Sequence, residues 1–253
     1  MQHIGAHSQS AYRVRMEWGA TGAAAMAEGA DVAVVVDVLS FTTTLSVAVE
    51  RGMTVYPFRW KDERAAAYAA ERDAVLATGR SARGGVSLSP VSVRAAAGVE
   101  RLVLPSPNGS SIAFGLAEAG VRVVGASLRN ASAVARWLPD GATVAVVAAG
   151  ERWPDGTLRP AVEDLWGAGA VIAALAGLGA SGLSPEARVA EQAFRAVEPR
   201  LAEELPDCAS GRELVEMGFA GDVEVAAGLD ASDVVPLLVG EAFVAAGCRP
   251  RPA

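Results

Sequence analysis

Val32-Ala-Val-Val-Val36, followed at once by Asp37, is the stretch that decides the fold class. A half-exposed strand alternates apolar and polar residues; an unbroken apolar, β-branched run belongs to a strand buried on both faces. Parallel sheets with helices on both sides use such strands. Ser40-Phe-Thr-Thr-Thr44 comes next and leads into a helix through Glu50, closed by Gly52.

The alternation continues outward. Residues 54–58 read as a strand, 61–72 as a helix and 74–77 as a short strand, and 79–92 have the glycine- and serine-rich chemistry of a loop. A strand at 102–104 precedes the turn Ser106-Pro-Asn-Gly-Ser-Ser111 and a helix over 112–119. Strands at 121–124 and 143–148 flank a helix at 131–137. The remainder is more helical, with helices at 163–178, 185–198, 199–205 and 208–217. Asp222 then opens a polar segment, and 234–238 forms a last strand or short helix. Strand alternating with helix predicts an α/β fold with a largely parallel or mixed sheet. At 253 residues the chain makes a single domain, or two closely packed halves divided near residue 120.

Composition removes several function classes. Net charge is −7 and no basic block stands out, so nucleic acid is not an expected partner. Lys61 follows Trp60 rather than glycine and is the only lysine, which rules out the G-x-x-x-x-G-K-[ST] phosphate loop. His3 and His7, the only histidines, sit in a polar N-terminal stretch, which argues against histidine catalysis. Cys208 and Cys248 lie outside any CxxC spacing and read as buried thiols of a reducing compartment. Residues 2–20 lack the apolar core of a signal peptide. Residues 165–185 carry no charge but are rich in glycine and alanine, and read as a buried helix rather than a membrane span. The expected protein is soluble and cytoplasmic.

In open α/β sheets, ligands bind beyond the carboxyl ends of the strands. The residues there are polar in four places: Asp37 with Ser40, Thr42, Thr43 and Thr44; Ser106, Asn108, Ser110 and Ser111; Ser127 and Asn130; and Glu151. Three of these loops feed helices, whose first turns present free N–H groups to anions; plain N-capping would select the same residue types. A carboxylate straight after an apolar strand is costly to bury unless paired, hydrogen-bonded or metal-bound. Asp37 therefore reads as a Mg²⁺ ligand first, then as a nucleophile or base. Position 39 is Leu, which disfavours the mechanism that needs aspartates two residues apart. Glu163 and Asp164 open the next helix, where acidic residues either complement the dipole or hold metal. Arg80, Arg83 and Arg129 are candidate partners for a dianion. Gly167-Ala-Gly169 has Ile at 172 and no strand directly before it, so it is not a dinucleotide fingerprint.

Val35-Val-Asp-Val-Leu-Ser-Phe-Thr-Thr-Thr44, Ser106-Pro-Asn-Gly-Ser110, the segment from Gly125 to Val134 and Val162-Glu-Asp-Leu-Trp-Gly-Ala-Gly169 follow one another in an order that resembles the 2-phosphosulfolactate phosphatase (ComB-like) family. The resemblance runs from about Val32 to Pro236. It implies a three-layer α/β/α fold and a Mg²⁺-dependent phosphatase acting on 2-phospho-3-sulfolactate, a step towards coenzyme M. By matching position it implies Asp37, Asn108 and Glu163 as catalytic, Asp37, Glu163 and Asp164 as metal ligands, and Asp222 as a further site residue. Ser40, Thr42, Thr43, Gly109, Ser110, Asn130 and Arg80 are the expected contacts to a small phosphorylated or sulfonated acid. A homo-oligomer is compatible with this reading. Two departures matter: Ser40 stands where the family commonly has Arg, and the loop at 79–90 is altered. A catalytically altered anion-binding or regulatory protein is the alternative they raise.

Overall fold

Val32–Val36 is a strand, and alternate side chains feed two different cores. Val32, Val34 and Val36 pack in one apolar cluster, while Ala33 and Val35 pack in another on the opposite face. The run Val144–Ala148 divides in the same way. This two-faced burial is why the segments are continuously apolar, and it requires helices on both sides of the sheet.

The computed structural model describes residues 4–59, 64–80 and 85–247. In chain order it contains α1 (Ile4–His7), β1 (Val14–Trp18), α2 (Gly19–Ala27), β2 (Val32–Val36), α3 (Phe41–Glu50), β3 (Thr54–Phe58), α4 (Arg64–Glu71), β4 (Val75–Leu76), α5 (Pro90–Ala95), β5 (Arg101–Pro105), α6 (Gly109–Glu118) and β6 (Arg122–Ala126). There follow α7 (Ala131–Trp137), β7 (Val144–Ala148), β8 (Glu151–Arg152), β9 (Leu158–Arg159), α8 (Val162–Gly177), α9 (Pro185–Val197), α10 (Leu201–Asp207), α11 (Ala209–Glu216), α12 (Ala220–Ala227), β10 (Pro236–Val239) and β11 (Ala242–Ala245). The main sheet has the order β1-β7-β2-β6-β10-β11-β3-β5-β4, and β8 pairs with β9 in a separate hairpin. The first four strands are parallel to one another, as are the last three. The antiparallel pair β10–β11 joins the two sets, meeting one through Leu237 and Val124 and the other through Phe243 and Val55. The result is the expected three-layer α/β/α arrangement, with a mixed, mostly parallel sheet.

Several segments differ from the sequence reading. Residues 90–95 are helical rather than loop: Ser89 caps α5 by accepting from Ser92 N, and Pro90 occupies the first turn, where its missing N–H costs nothing. Asp222 lies inside α12 rather than opening a polar segment. β1 and β11 were not expected; β1 is short and carries Arg15 and Glu17 between its apolar residues. The glycines of α8 serve packing. A Cβ at Gly167 would lie 2.7 Å or less from Val36 and Val38, and one at Gly169 would lie 2.1 Å from the Ala190 carbonyl of α9. Among the described residues no helix is long and apolar enough to cross a membrane.

Candidate active site

Asp37 ends β2 and is buried, and two helix starts converge on its carboxylate. Oδ1 accepts from Phe41 N at 3.0 Å, at the start of α3, and Oδ2 accepts from Gly109 N at 2.9 Å, at the start of α6. These N–H groups have no partner within their own helices, so a carboxylate between them is stabilised by hydrogen bonds and by both helix dipoles. Burial works the other way and raises the Asp37 pKa, and the nearby Glu163 charge adds to this. The two N–H groups and the Arg80 charge oppose the rise.

The hydroxyls after Asp37 turn inward. Thr42 Oγ1 donates to Asp37 O at 2.7 Å and accepts from Asp37 N, while Thr43 Oγ1 donates to Val38 O at 2.7 Å. Both fasten α3 to the end of β2, although the sequence reading took them as substrate contacts. Ser110 likewise donates to Leu104 O. Asn130 is fully buried; it accepts from Ser127 N and donates to Gly125 O and Val234 O, which makes it a cap and a tie to the chain before β10. Arg129 is buried against Ser46 and Glu50 of α3, away from the site. Arg83 lies outside the described residues.

Beyond Asp37 opens a cavity of about 470 Å³, lined by Asp37, Ser40, Arg80, Ser106, Asn108, Glu151, Arg152, Arg159, Ser210 and neighbouring residues of α11. Of the residues singled out in the sequence, Asp37, Ser40, Arg80, Ser106, Asn108 and Glu151 line it. Arg80 is fixed in place: Nε pairs with the buried Asp222 carboxylate at 2.9 Å, and Nη2 donates to Ser40 Oγ. Ser89 Oγ donates to the other oxygen of Asp222. Asp222 thus acts through Arg80. The guanidinium thus brings positive charge from another loop to Ser40, the position where the resemblance led to the expectation of an arginine.

Glu151 follows β7, the neighbour of β2 in the sheet, and faces Asp37 across the strand ends. Its pKa is pushed up to about 7, first by burial and then by the charges of Asp37 and Glu163. Asn108 Nδ2 donates to Glu151 Oε2 at 2.9 Å, and Asn108 Oδ1 accepts from Arg152 Nε at 3.2 Å. The sequence placed Glu151 at a strand end without a role; its environment comes from three separate segments.

Glu163 and Asp164 lie behind the cavity wall. Asp164 receives Val38 N at 2.7 Å and Gly150 N at 2.8 Å, one on each oxygen, and so ties the turns after β2 and β7 together. Asp164, expected from the sequence as a metal ligand, thus has a backbone donor on each oxygen. Burial, then Asp37 and Glu163, raises its pKa well above the usual carboxylate range. Glu163 is 2% exposed and accepts a weak hydrogen bond from Cys208 Sγ at 3.5 Å. Burial, then Glu163, pushes the Cys208 thiol up to about 12.

Carboxylate oxygens are the donors Mg²⁺ prefers, and it commonly needs only one or two of them besides water and substrate oxygens. Asp37 and Glu163 are close enough for the charge of one to shift the other. Among the described residues, no group of three or more His, Cys, Asp or Glu side chains could hold a metal ion. Of the acidic residues, Asp37, Glu151 and Glu213 line the cavity, so a divalent cation there would depend on substrate and water oxygens for most of its ligands.

The sequence model of the family described as 2-phosphosulpholactate phosphatase matches residues 22–241. The chain is 35% identical over 229 residues to a probable 2-phosphosulfolactate phosphatase of Deinococcus radiodurans, covering 86% of this chain and 91% of the relative. It is 35% identical over 224 residues to a protein of the same description from Thermus thermophilus, covering 85% and 92%. A third, from Thermotoga petrophila, is 31% identical over 219 residues, covering 84% and 91%. Every residue that lines the cavity lies within the family match over residues 22–241, and the chain belongs to the 2-phosphosulpholactate phosphatase family.

Proposed function

We propose that this chain is a Mg²⁺-dependent phosphatase that hydrolyses the phosphate ester of a small sulfonated or carboxylated acid, of which 2-phosphosulfolactate is the leading candidate. The observation that carries the reading is the Asp37 carboxylate, held by two helix starts at the mouth of an arginine-lined cavity. Asp37, which lines the cavity, would hold Mg²⁺, with Glu163 as a further ligand if its buried side chain turned from Cys208 to the cavity; the ion would neutralise phosphoryl charge and acidify a bound water. Arg80, oriented by Asp222, presents its fork to phosphate oxygens. Glu151, with a pKa of about 7, is suited to accept a proton from the attacking water or to donate one to the leaving oxygen, and Asn108 orients it.

Family membership and the presence of Asp37, Asn108 and Glu151 around one cavity favour turnover over a silent anion-binding protein. The test is phosphate release by purified protein with Mg²⁺ from a panel of phosphorylated acids. Release from 2-phosphosulfolactate that stops on chelation is expected. Ligand-dependent thermal stabilisation without any phosphate release would reject the reading in favour of the binding protein.

A further inference from the structure

We infer that the β8–β9 hairpin is the specificity element of this cavity, with Arg159, assisted by Arg152, binding the sulfonate of the substrate. The inference rests on the phosphatase reading above and assigns the end of the cavity which that reading leaves unused.

Arg80 is already engaged, by Asp222 and Ser40 beside Asp37. Arg152 and Arg159 also line the cavity, yet neither forms an ion pair among the described residues. Their hydrogen bonds go to neutral acceptors. Arg159 Nη2 donates to Ser210 Oγ at 3.0 Å, and Arg152 donates to Asn108 Oδ1 and Gly156 O. Guanidinium groups with neutral partners keep charge available for an incoming oxyanion.

The hairpin that carries them is built to be rigid. In the turn Trp153-Pro-Asp-Gly-Thr157, Asp155 Oδ1 accepts from Thr157 N at 2.9 Å and from Thr157 Oγ1 at 2.6 Å. Gly156 supplies the positive φ of +83°. Leu158 clamps the hairpin base: a Cβ at Gly150 would lie 2.7 Å from Leu158 Cδ1, and one at Gly19 would lie 3.3 Å from it. Arg159 is opposite Glu151 in the hairpin register, so the second anion site is fixed relative to the proton-transfer group. Arg152 and Arg159 line the same cavity as Asp37 and Arg80, so one small acid can meet both sets of guanidinium groups.

The test compares 2-phosphosulfolactate with 2-phospholactate, which lacks only the sulfonate, for wild type and Arg159→Gln. We expect kcat/KM on the sulfonated substrate to fall about ten- to a hundred-fold, the loss of a charge-assisted hydrogen bond. The value on 2-phospholactate should change by less than about three-fold, and Arg159→Lys should recover part of the selectivity. Equal losses on both substrates, or no loss on either, overturn the inference while leaving the phosphatase reading intact. If wild type releases phosphate from neither, that reading fails, and the inference is decided by binding of 3-sulfolactate: weaker binding to Arg159→Gln supports it and equal binding overturns it. Thermal midpoints check folding, and should Arg159→Gln not fold, Arg159→Met, which also removes the charge, is read by the same criteria.

Discussion

The Asp37 carboxylate receives the backbone N–H of Gly109 at 2.9 Å, joining the end of β2 to the start of α6 across 72 residues of sequence. A side chain at 109 would prevent this contact. A Cβ there would lie 2.4 Å from Phe41 Cδ1 and 2.8 Å from Asp37 Oδ2, and both neighbours are buried. Gly109→Ala should cost about 1–3 kcal/mol in stability, the usual range for overpacking. It should also lower kcat by more than it raises KM, because the displaced group is Asp37. Urea unfolding and steady-state kinetics on the same preparation check both effects.

Asp164→Ala should destabilise the fold rather than act on substrate affinity. It would leave Val38 N and Gly150 N without their acceptor, at about 1–3 kcal/mol for each buried N–H left unpaired. Denaturant midpoints test this. A variant of wild-type stability with a much weakened Mg²⁺ requirement would point to a direct ligand role instead.

Stability without divalent cation should fall as pH rises. The folded Glu151 keeps its proton up to about 7, whereas an unperturbed glutamate loses it near 4.5. Between those values the folded state binds more protons than the unfolded state, so unfolding free energy decreases with pH. The contribution of Glu151 is fully present below about 4.5 and lost above about 7. Asp37 and Asp164, also raised, act in the same direction. Thermal midpoints measured with chelator from pH 5 to 8 should decline in wild type and decline less in Glu151→Gln.

The Cys208 thiol, buried and raised to about 12, should resist iodoacetamide at pH 8 in the folded protein and react on unfolding, because the thiolate is the nucleophile. Mass spectrometry of the peptide containing Cys208 reads this directly. Rapid labelling under native conditions would contradict the burial.

The fold was legible because its strongest signal is local. Val32–Val36 is apolar throughout since both of its faces are covered, and Asp37 and Asn108 stand where a strand end predicts a ligand site. What the sequence conceals is which polar side chains face backbone and which face the cavity. Thr42, Thr43, Asn130 and Asp164 have site-like chemistry, but their side chains bond main-chain groups and none of the four lines the cavity. Arg152, Arg159 and Ser210 carry no motif and meet only because the hairpin and α11 close the cavity together. The α5 start was readable from Ser89-Pro90, but the serines and glycines before it give the segment loop character.

The central claim is that Asp37 organises phosphate ester hydrolysis. The most direct test is phosphate release from 2-phosphosulfolactate in saturating Mg²⁺, by wild type and by Asp37→Asn with its folding verified. Wild type should turn over, and Asp37→Asn should lose about a hundred-fold or more in kcat, the scale on which a single catalytic electrostatic group acts. An Asp37→Asn variant that retains the wild-type rate would contradict the account.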